Sequence, residues 1–168
     1  MTLLTTERLI LRKPQEDDFA AIAAFQASER SKFVGGPTTD EWQLWRGFLS
    51  AFGHWALRGY GFFTATLKDN TIVGRVGLVN HIMWQEPELG WHIFDGYVGQ
   101  GYAFEAASKI RHWAAETLGF NPLISYIHPD NTRSIALAER LGATLEGKTE
   151  LLGSPCHIYR HPKIEVSQ

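Results

Sequence analysis

The sequence predicts a single α/β (α+β) domain built on a mostly antiparallel sheet with one βαβ crossover. Three observations predict it. Short apolar runs bounded by turn signals alternate with longer stretches whose apolar residues recur at three- and four-residue steps. The element order reads β-α-α-β-β-β-α-β-α-β-β, with no internal repeat, low-complexity segment or linker. One pair of strands, Glu88–Phe94 and Leu123–Ile127, is joined through a helix, and such a connection makes the two parallel. At 168 residues the chain has the usual size of one domain and can bury a substantial core.

Arg8–Lys13 (RLILRK) reads as a strand that Pro14 stops. Residues 15–29 read as a helix whose first turn is acidic, where the helix dipole favours negative charge. Gly35-Gly36-Pro37 punctuates a loop. Asp40 to Arg58 forms a second helix, and Trp42, Trp45, Leu49, Phe52 and Trp55 mark an amphipathic stripe on it. That stripe is expected in the core; lining a substrate or dimer groove is the alternative. Tyr60–Lys68 and Thr71–Met83 read as strands flanking a tight Asp69-Asn70 turn. Gln100–Leu118 follows as a helix that buries Phe104, Ala107, Ile110, Ala114 and Leu118. Asn131–Leu141 is a short helix closed by Gly142, which suits a left-handed cap. Strands near 144–152 and 156–160 complete the chain as a hairpin through Gly153-Ser154-Pro155.

Composition narrows the function. Sixteen basic and 18 acidic residues are evenly mixed, for a net charge of −2, so nothing draws the chain to nucleic acid or anionic lipid. Cys156 is the only cysteine, which excludes an internal disulfide and fits a reducing compartment. Charges at Glu7, Arg8 and Arg12 break the apolar N-terminus, so it does not read as a signal peptide. No uncharged apolar run approaches the ~18–20 residues that span a bilayer. A cytoplasmic location is the expectation.

Residues 95–107 (DGYVGQGYAFEAA) place Gly99 and Gly101 just ahead of a helix with no Ser or Thr cap. Glycines there let unpaired helical N–H groups face an anion such as a phosphate. Other motifs fail on their context. GATLEGKT, 142–149, matches the P-loop pattern literally, but it follows a helix and precedes a strand, the reverse of what a phosphate cradle needs. Gly99–Phe104 resembles a dinucleotide fingerprint with a bulky Phe where the third glycine belongs. Cys156, His157 and His161 lack the converging partners of a zinc site, so no metal is expected. No G-x-S-x-G elbow is present.

Three segments in order carry a family resemblance: TERLILRKPQEDDFAAI, ELGWHIFDGYVGQGYAFEAA and NTRSIALAERLGA. From about Thr5 to His161 the chain resembles the GNAT superfamily of acetyl-CoA-dependent N-acetyltransferases, specifically its RimJ/RimL-like branch. The resemblance implies a twisted sheet with helices on both faces. It also implies acetyl-CoA as cosubstrate, with its pyrophosphate on the N–H groups of Gly99, Gln100, Gly101, Tyr102 and Ala103. Its pantetheine would run along Ile93 and Phe94, with Asn131 and Ser134 on the other wall. Two positions depart from the family pattern. Val98 stands where a Gln or Arg opens the loop, and Ala138, seven after Asn131, stands where many members carry a tyrosine general acid.

Acetyl transfer requires a neutral amine, and an α-amino group has a pKa near ~8 and a lysine near ~10.4, so a base is needed. Glu88, at the start of the strand implied to hold the acetyl group, is the candidate; Glu86 and His92 are alternates. The expected reaction is direct attack of a primary amine, on a protein N-terminus or a small molecule. The sequence does not choose between these, and exposed tryptophans would favour a homodimer. Two other readings remain: a non-catalytic acyl-CoA-binding or sensor domain, which the absent tyrosine favours, and a nucleotide binder using 142–149.

Overall fold

The computed structural model describes residues 3–166. Eight strands form one sheet in the order β1-β2-β3-β4-β5-β6-β8-β7. They are β1 (Leu4–Thr5), β2 (Leu9–Arg12), β3 (Phe62–Leu67), β4 (Ile72–Val79), β5 (Glu88–Ile93), β6 (Ile124–Ile127), β7 (Thr144–Leu151) and β8 (Ser154–Arg160). Every neighbouring pair is antiparallel except β5–β6, the expected crossover. Four α-helices accompany them: α1 (Phe19–Ala27), α2 (Glu41–Arg58), α3 (Tyr102–Trp113) and α4 (Thr132–Arg140).

Side-chain alternation on β5 shows how the layers are built. Leu89 and Ile93 point to the cluster that contains Ile110 and Ala114, on the side of α3. His92 and Phe94 face the other way and stack on Phe25 of α1. Period two thus sends successive residues to opposite helical layers, and helices cover both faces. A third cluster packs Ala138 of α4 against Ile127, Ala143 and Tyr159.

Local chemistry explains most element ends. Asp40 caps α2 by accepting from Gln43 N at 2.8 Å, and Gly59 closes it in the left-handed region at φ 76°. Asn70, at φ 71°, turns β3 into β4 as expected, while Asp69 Oδ1 accepts from Thr71 N at 2.9 Å. Gly142 takes φ 86° behind α4, the left-handed cap that the sequence suggested.

The structure corrects several boundaries. The helix expected over 15–29 begins as a 3-10 turn, Glu16–Asp18, because the Asp18 carboxylate folds back to accept from Gln15 N. The helix expected over 100–118 starts at Tyr102 and ends in a π-helical turn, Ala114–Leu118. The last hairpin turns at Leu152 and Gly153, both with positive φ, which leaves Ser154 and Pro155 inside β8. The stripe on α2 is also rotated from the expected one. Phe48 is buried with Trp45 and Phe52 beside it, and Trp55 is buried in the main core with Phe63, whereas Trp42 and Leu49 are exposed. Residues 142–149 run from the end of α4 into β7, so no helix follows the P-loop-like string.

A buried ion pair joins the helical layer to the sheet. Asp18 is fully buried and accepts from Arg12 Nη1 and Nη2 at 2.9 and 2.7 Å and from Thr64 Oγ1 at 2.7 Å. Burial raises its pKa, but the bonds from Arg12 and Thr64 outweigh burial and hold it below the ordinary carboxylate value. Its stabilising contribution is therefore complete at neutral pH and is lost as pH falls through the carboxylate range. Asp18→Ala should cost about 3–5 kcal/mol in urea unfolding at neutral pH, because it leaves Arg12 without its anion. A loss no larger than that of a surface substitution, about 0.5 kcal/mol, would contradict this.

Candidate active site

β5 and β6 share one pair, Glu88↔Ile124, and then separate. Side chains replace the ladder at the point of divergence. Tyr126 N donates to Glu88 Oε2 at 3.0 Å, and Ser125 Oγ donates to the Leu89 carbonyl at 2.6 Å. Farther along, Trp91 Nε1 donates to Ser134 Oγ at 3.1 Å and spans the gap between β5 and α4. Over this opening lies a groove of about 780 Å³. It runs from the segment after α1, with Arg30 and Phe33, across Trp91, His92 and Ile93 to Gly99, Gly101 and the flank of α4.

The glycine loop fits an anion. Gly99 and Gly101 hold φ 75° and 83°, a region that side chains disfavour. The first bond closing α3 is Glu105 N to Gly101 O at 3.0 Å, so the N–H groups of Tyr102, Ala103 and Phe104 have no partner within the helix. Four cations line the groove, Arg30, Lys32, Arg133 and Arg140, against two carboxylates, Glu29 and Asp130. Arg30 Nε is buried without a partner, while Arg30 Nη2 donates to the Ile93 carbonyl at 2.8 Å. A polyanionic ligand suits that balance.

Of the residues expected at the donor site, Ile93, Gly99, Gly101, Tyr102, Ala103, Asn131 and Ser134 all line the groove. Phe94 and Gln100 do not. The Phe94 ring is buried against Phe25, and the Gln100 carbonyl accepts from Arg8 Nη1 at 2.9 Å. Asn131 also caps α4, accepting from Ser134 N at 3.3 Å. Ala138 is fully buried and brings no hydroxyl to the groove.

The three base candidates separate clearly. Glu88 sits at the apex of the divergence, outside the groove lining, with Oε1 accepting from Trp84 Nε1 at 2.8 Å. Burial pushes its pKa up to about 7, against the pull of the Trp84 and Tyr126 donors. Glu86 is committed elsewhere: Arg160 takes both of its oxygens, and also grips Glu146. His92 is unsuited to act as a base, since its Nδ1 accepts from Arg75 Nε at 2.9 Å, and burial with the nearby Arg75 charge pushes its pKa well below the ordinary value.

Sequence reasoning missed the brace behind the loop. Arg8 Nε bonds Glu105 Oε2 at 2.7 Å, and Glu105 Oε1 accepts from Thr6 Oγ1 and from Arg8 N. Arg8 also covers the Tyr102 ring at 4.7 Å. These partners lie more than 90 positions apart, and no local pattern announces the pairing. Among the described residues, no group of three or more His, Cys, Asp or Glu side chains is placed to hold a metal. No described helix is long and apolar enough to cross a membrane.

A parallel strand pair that parts over a groove, with a left-handed glycine loop opening the crossover helix, defines an acyl-CoA N-acyltransferase fold. Residues 8–144 match the family model described as the acetyltransferase (GNAT) domain, and the chain belongs to that family. It is an N-acetyltransferase, with acetyl-CoA the donor that membership implies. The crystal structure of an acetyltransferase from Agrobacterium tumefaciens str. C58 superposes with a TM-score of 0.89 at 38% identity, covering 97% of this chain and 95% of that one. N-acetyltransferase p20 of Bacillus licheniformis is 28% identical over 154 residues, 88% of this chain and 85% of that protein. The [ribosomal protein uS5]-alanine N-acetyltransferase of Escherichia coli (strain K12) is 28% identical over 153 residues, 86% and 79% of the two chains, in accord with the RimJ/RimL-like resemblance.

The raised pKa of Glu88 has a consequence for stability. The folded chain keeps a proton on Glu88 up to about 7 while the unfolded chain releases it in the ordinary range, so stability falls as pH rises between the two. Glu88→Gln, which stays neutral, should therefore gain melting temperature over wild type on going from about pH 5 to about pH 8. Parallel melting curves across that window would show that Glu88 is not desolvated.

Proposed function

We propose that this enzyme transfers the acetyl group of acetyl-CoA directly to a primary amine, on a protein N-terminus or a small molecule. The observation that carries the proposal is the continuous groove over the β5–β6 opening. One end offers unpaired backbone donors for a pyrophosphate, and the other, beside Phe33 and Lys32, is left for the acceptor. Acetyl-CoA supplies an activated thioester; the chain's residues position it and move protons. Glu88, ionised above about 7, draws the amine proton through water, since its carboxylate lies outside the groove lining. Beyond the Glu88↔Ile124 pair, the β6-facing edge of β5 has no strand partner, and its N–H groups are available to the acetyl oxygen.

Ser134 supplies the hydroxyl that Ala138 lacks. Its oxygen already accepts from Trp91, so its own O–H is left to donate to the departing sulfur. Trp91→Phe should then lower kcat more than it changes acetyl-CoA affinity.

The test is a panel of amines, including an alanine-initiated peptide, monitored by thiol release from acetyl-CoA. Amine-dependent release supports transfer; tight binding with no release for any amine would instead indicate a binding or sensor protein. With an accepted amine in hand, kcat/KM should rise as pH passes about 7. Glu88→Gln should lower it by roughly 10²–10⁴-fold and flatten that limb. Gly101→Val should abolish acetyl-CoA binding, because φ 83° is strained for a β-branched residue and a Cβ would stand 3.3 Å from Arg8 Nη2. Unchanged affinity in a folded Gly101→Val protein would remove the loop from the site.

A further inference from the structure

His92 sits where the groove crosses β5, and its surroundings are unusual in two respects. Its ring is sandwiched between Phe25 and Phe62, with centroids 5.3 and 5.1 Å away and interplanar angles of 17° and 29°. Phe62 reaches this position because Gly90 has no side chain: a Cβ there would lie 2.9 Å from Phe62 Cζ. The ring plane is therefore fixed from both sides.

The second feature is the partner of Nδ1. Arg75 Nε lies 2.9 Å away, and a guanidinium can only donate, so Nδ1 must present its lone pair. A neutral imidazole with an accepting Nδ1 carries its proton on Nε2, and protonation of Nδ1 would set two donors and two positive charges against each other. No described residue accepts from Nε2. Arg75 itself is paired across the strands with His92, and its guanidinium lies 5.3 Å from the Phe62 centroid. It has no carboxylate partner among the described residues; Asp18, which reaches the adjacent Thr64, is taken up by Arg12. Burial lowers the Arg75 pKa to about 10, which still leaves it a cation at neutral pH.

We infer that His92 is a fixed Nε2–H donor that holds an oxygen of the acceptor, and that Arg75 is the positioning residue that imposes this tautomer. The acceptor class that follows is an amine with a carbonyl or carboxylate oxygen beside it, in preference to a plain alkylamine. The uncompensated Arg75 charge behind the ring polarises the imidazole toward donation and favours the same negative end of the acceptor. This deepens the proposed acetyl transfer and rests on it.

Two probes of similar skeleton test the inference: alaninamide, which has the carbonyl, and isopropylamine, which does not. Wild-type protein should acetylate alaninamide with the higher kcat/KM. His92→Phe should lower kcat/KM for alaninamide roughly tenfold to a hundredfold, mainly through KM, and should lower it for isopropylamine by clearly less. His92→Gln, whose carboxamide N–H can reach the place of Nε2–H, should restore part of the loss. Independently of turnover, ¹⁵N spectra of histidine-labelled protein, with His92 assigned by its loss in His92→Gln, should show protonated Nε2 and unprotonated Nδ1. Arg75→Gln should relax that preference. Equal losses on both amines, or an Nδ1-protonated ring in wild type, would overturn the role of His92 alone. Absence of thiol release with these two amines and with every amine of the wider panel would overturn the transfer reading beneath it.

Discussion

Everything at this site depends on a parallel pair that pairs only once. After Glu88↔Ile124 the backbones of β5 and β6 part, and polar groups that a continued ladder would have satisfied must find other partners. The chain answers with side chains: a glutamate takes the Tyr126 amide, and a serine hydroxyl takes the Leu89 carbonyl. His161 Nε2 lies 2.8 Å from the same hydroxyl, so the C-terminal end of β8 closes the apex from below. The opening is thus held by a few directed bonds at its apex and, farther out, by the Trp91 ring packed between two apolar clusters. That leaves its outer part free for a ligand.

The same constraint sets the electrostatics. Glu88 is at once a structural plug for the Tyr126 amide and the carboxylate whose proton affinity is raised into the neutral range. Glu86, two residues earlier, has the same chemistry but lies against Arg160 and is bound as a strut between the β4–β5 connection and β8. Two glutamates that look equivalent in the string EPELG receive opposite duties from what faces them across the sheet. The groove lining carries four cations to two carboxylates, Glu29 and Asp130, while the Glu88 carboxylate lies outside it at the apex.

Much of the fold was legible from local chemistry. The Asp69-Asn70 turn, the Gly142 terminus and the strand-loop-helix around Gly99 and Gly101 all depend on residues within a few positions of one another. The two-residue strand β1 was not legible, because its pairing with Leu11 and Ile10 is settled only by the returning chain. The α2 stripe was legible only in part from its three- and four-residue steps: Trp45, Phe52 and Trp55 pack inward, while Trp42 and Leu49 lie exposed, with Arg46 near the Trp42 ring. The glycines and Ser134, expected from their motifs, line the groove. The bonds that give the site its character, Arg8–Glu105, Arg75–His92 and Trp91–Ser134, join residues 17 to 97 positions apart, and no pattern in the string ties them together.

The far edge of the sheet bears on how the protein behaves in a crowded solution. β7 is eight residues long and pairs only on the β8 side, so its outer backbone is a template on which another strand could add. Its sequence, TLEGKTEL, places Glu146, Lys148 and Glu150 along that strand, and its register with β8 slips between Leu145 and Gly147. A charged, irregular edge resists in-register growth by neighbouring molecules, and the opposite edge, β1, is only two residues long. An eight-stranded open sheet is in this way protected from aggregation at both ends, by charge and irregularity at one and by shortness at the other.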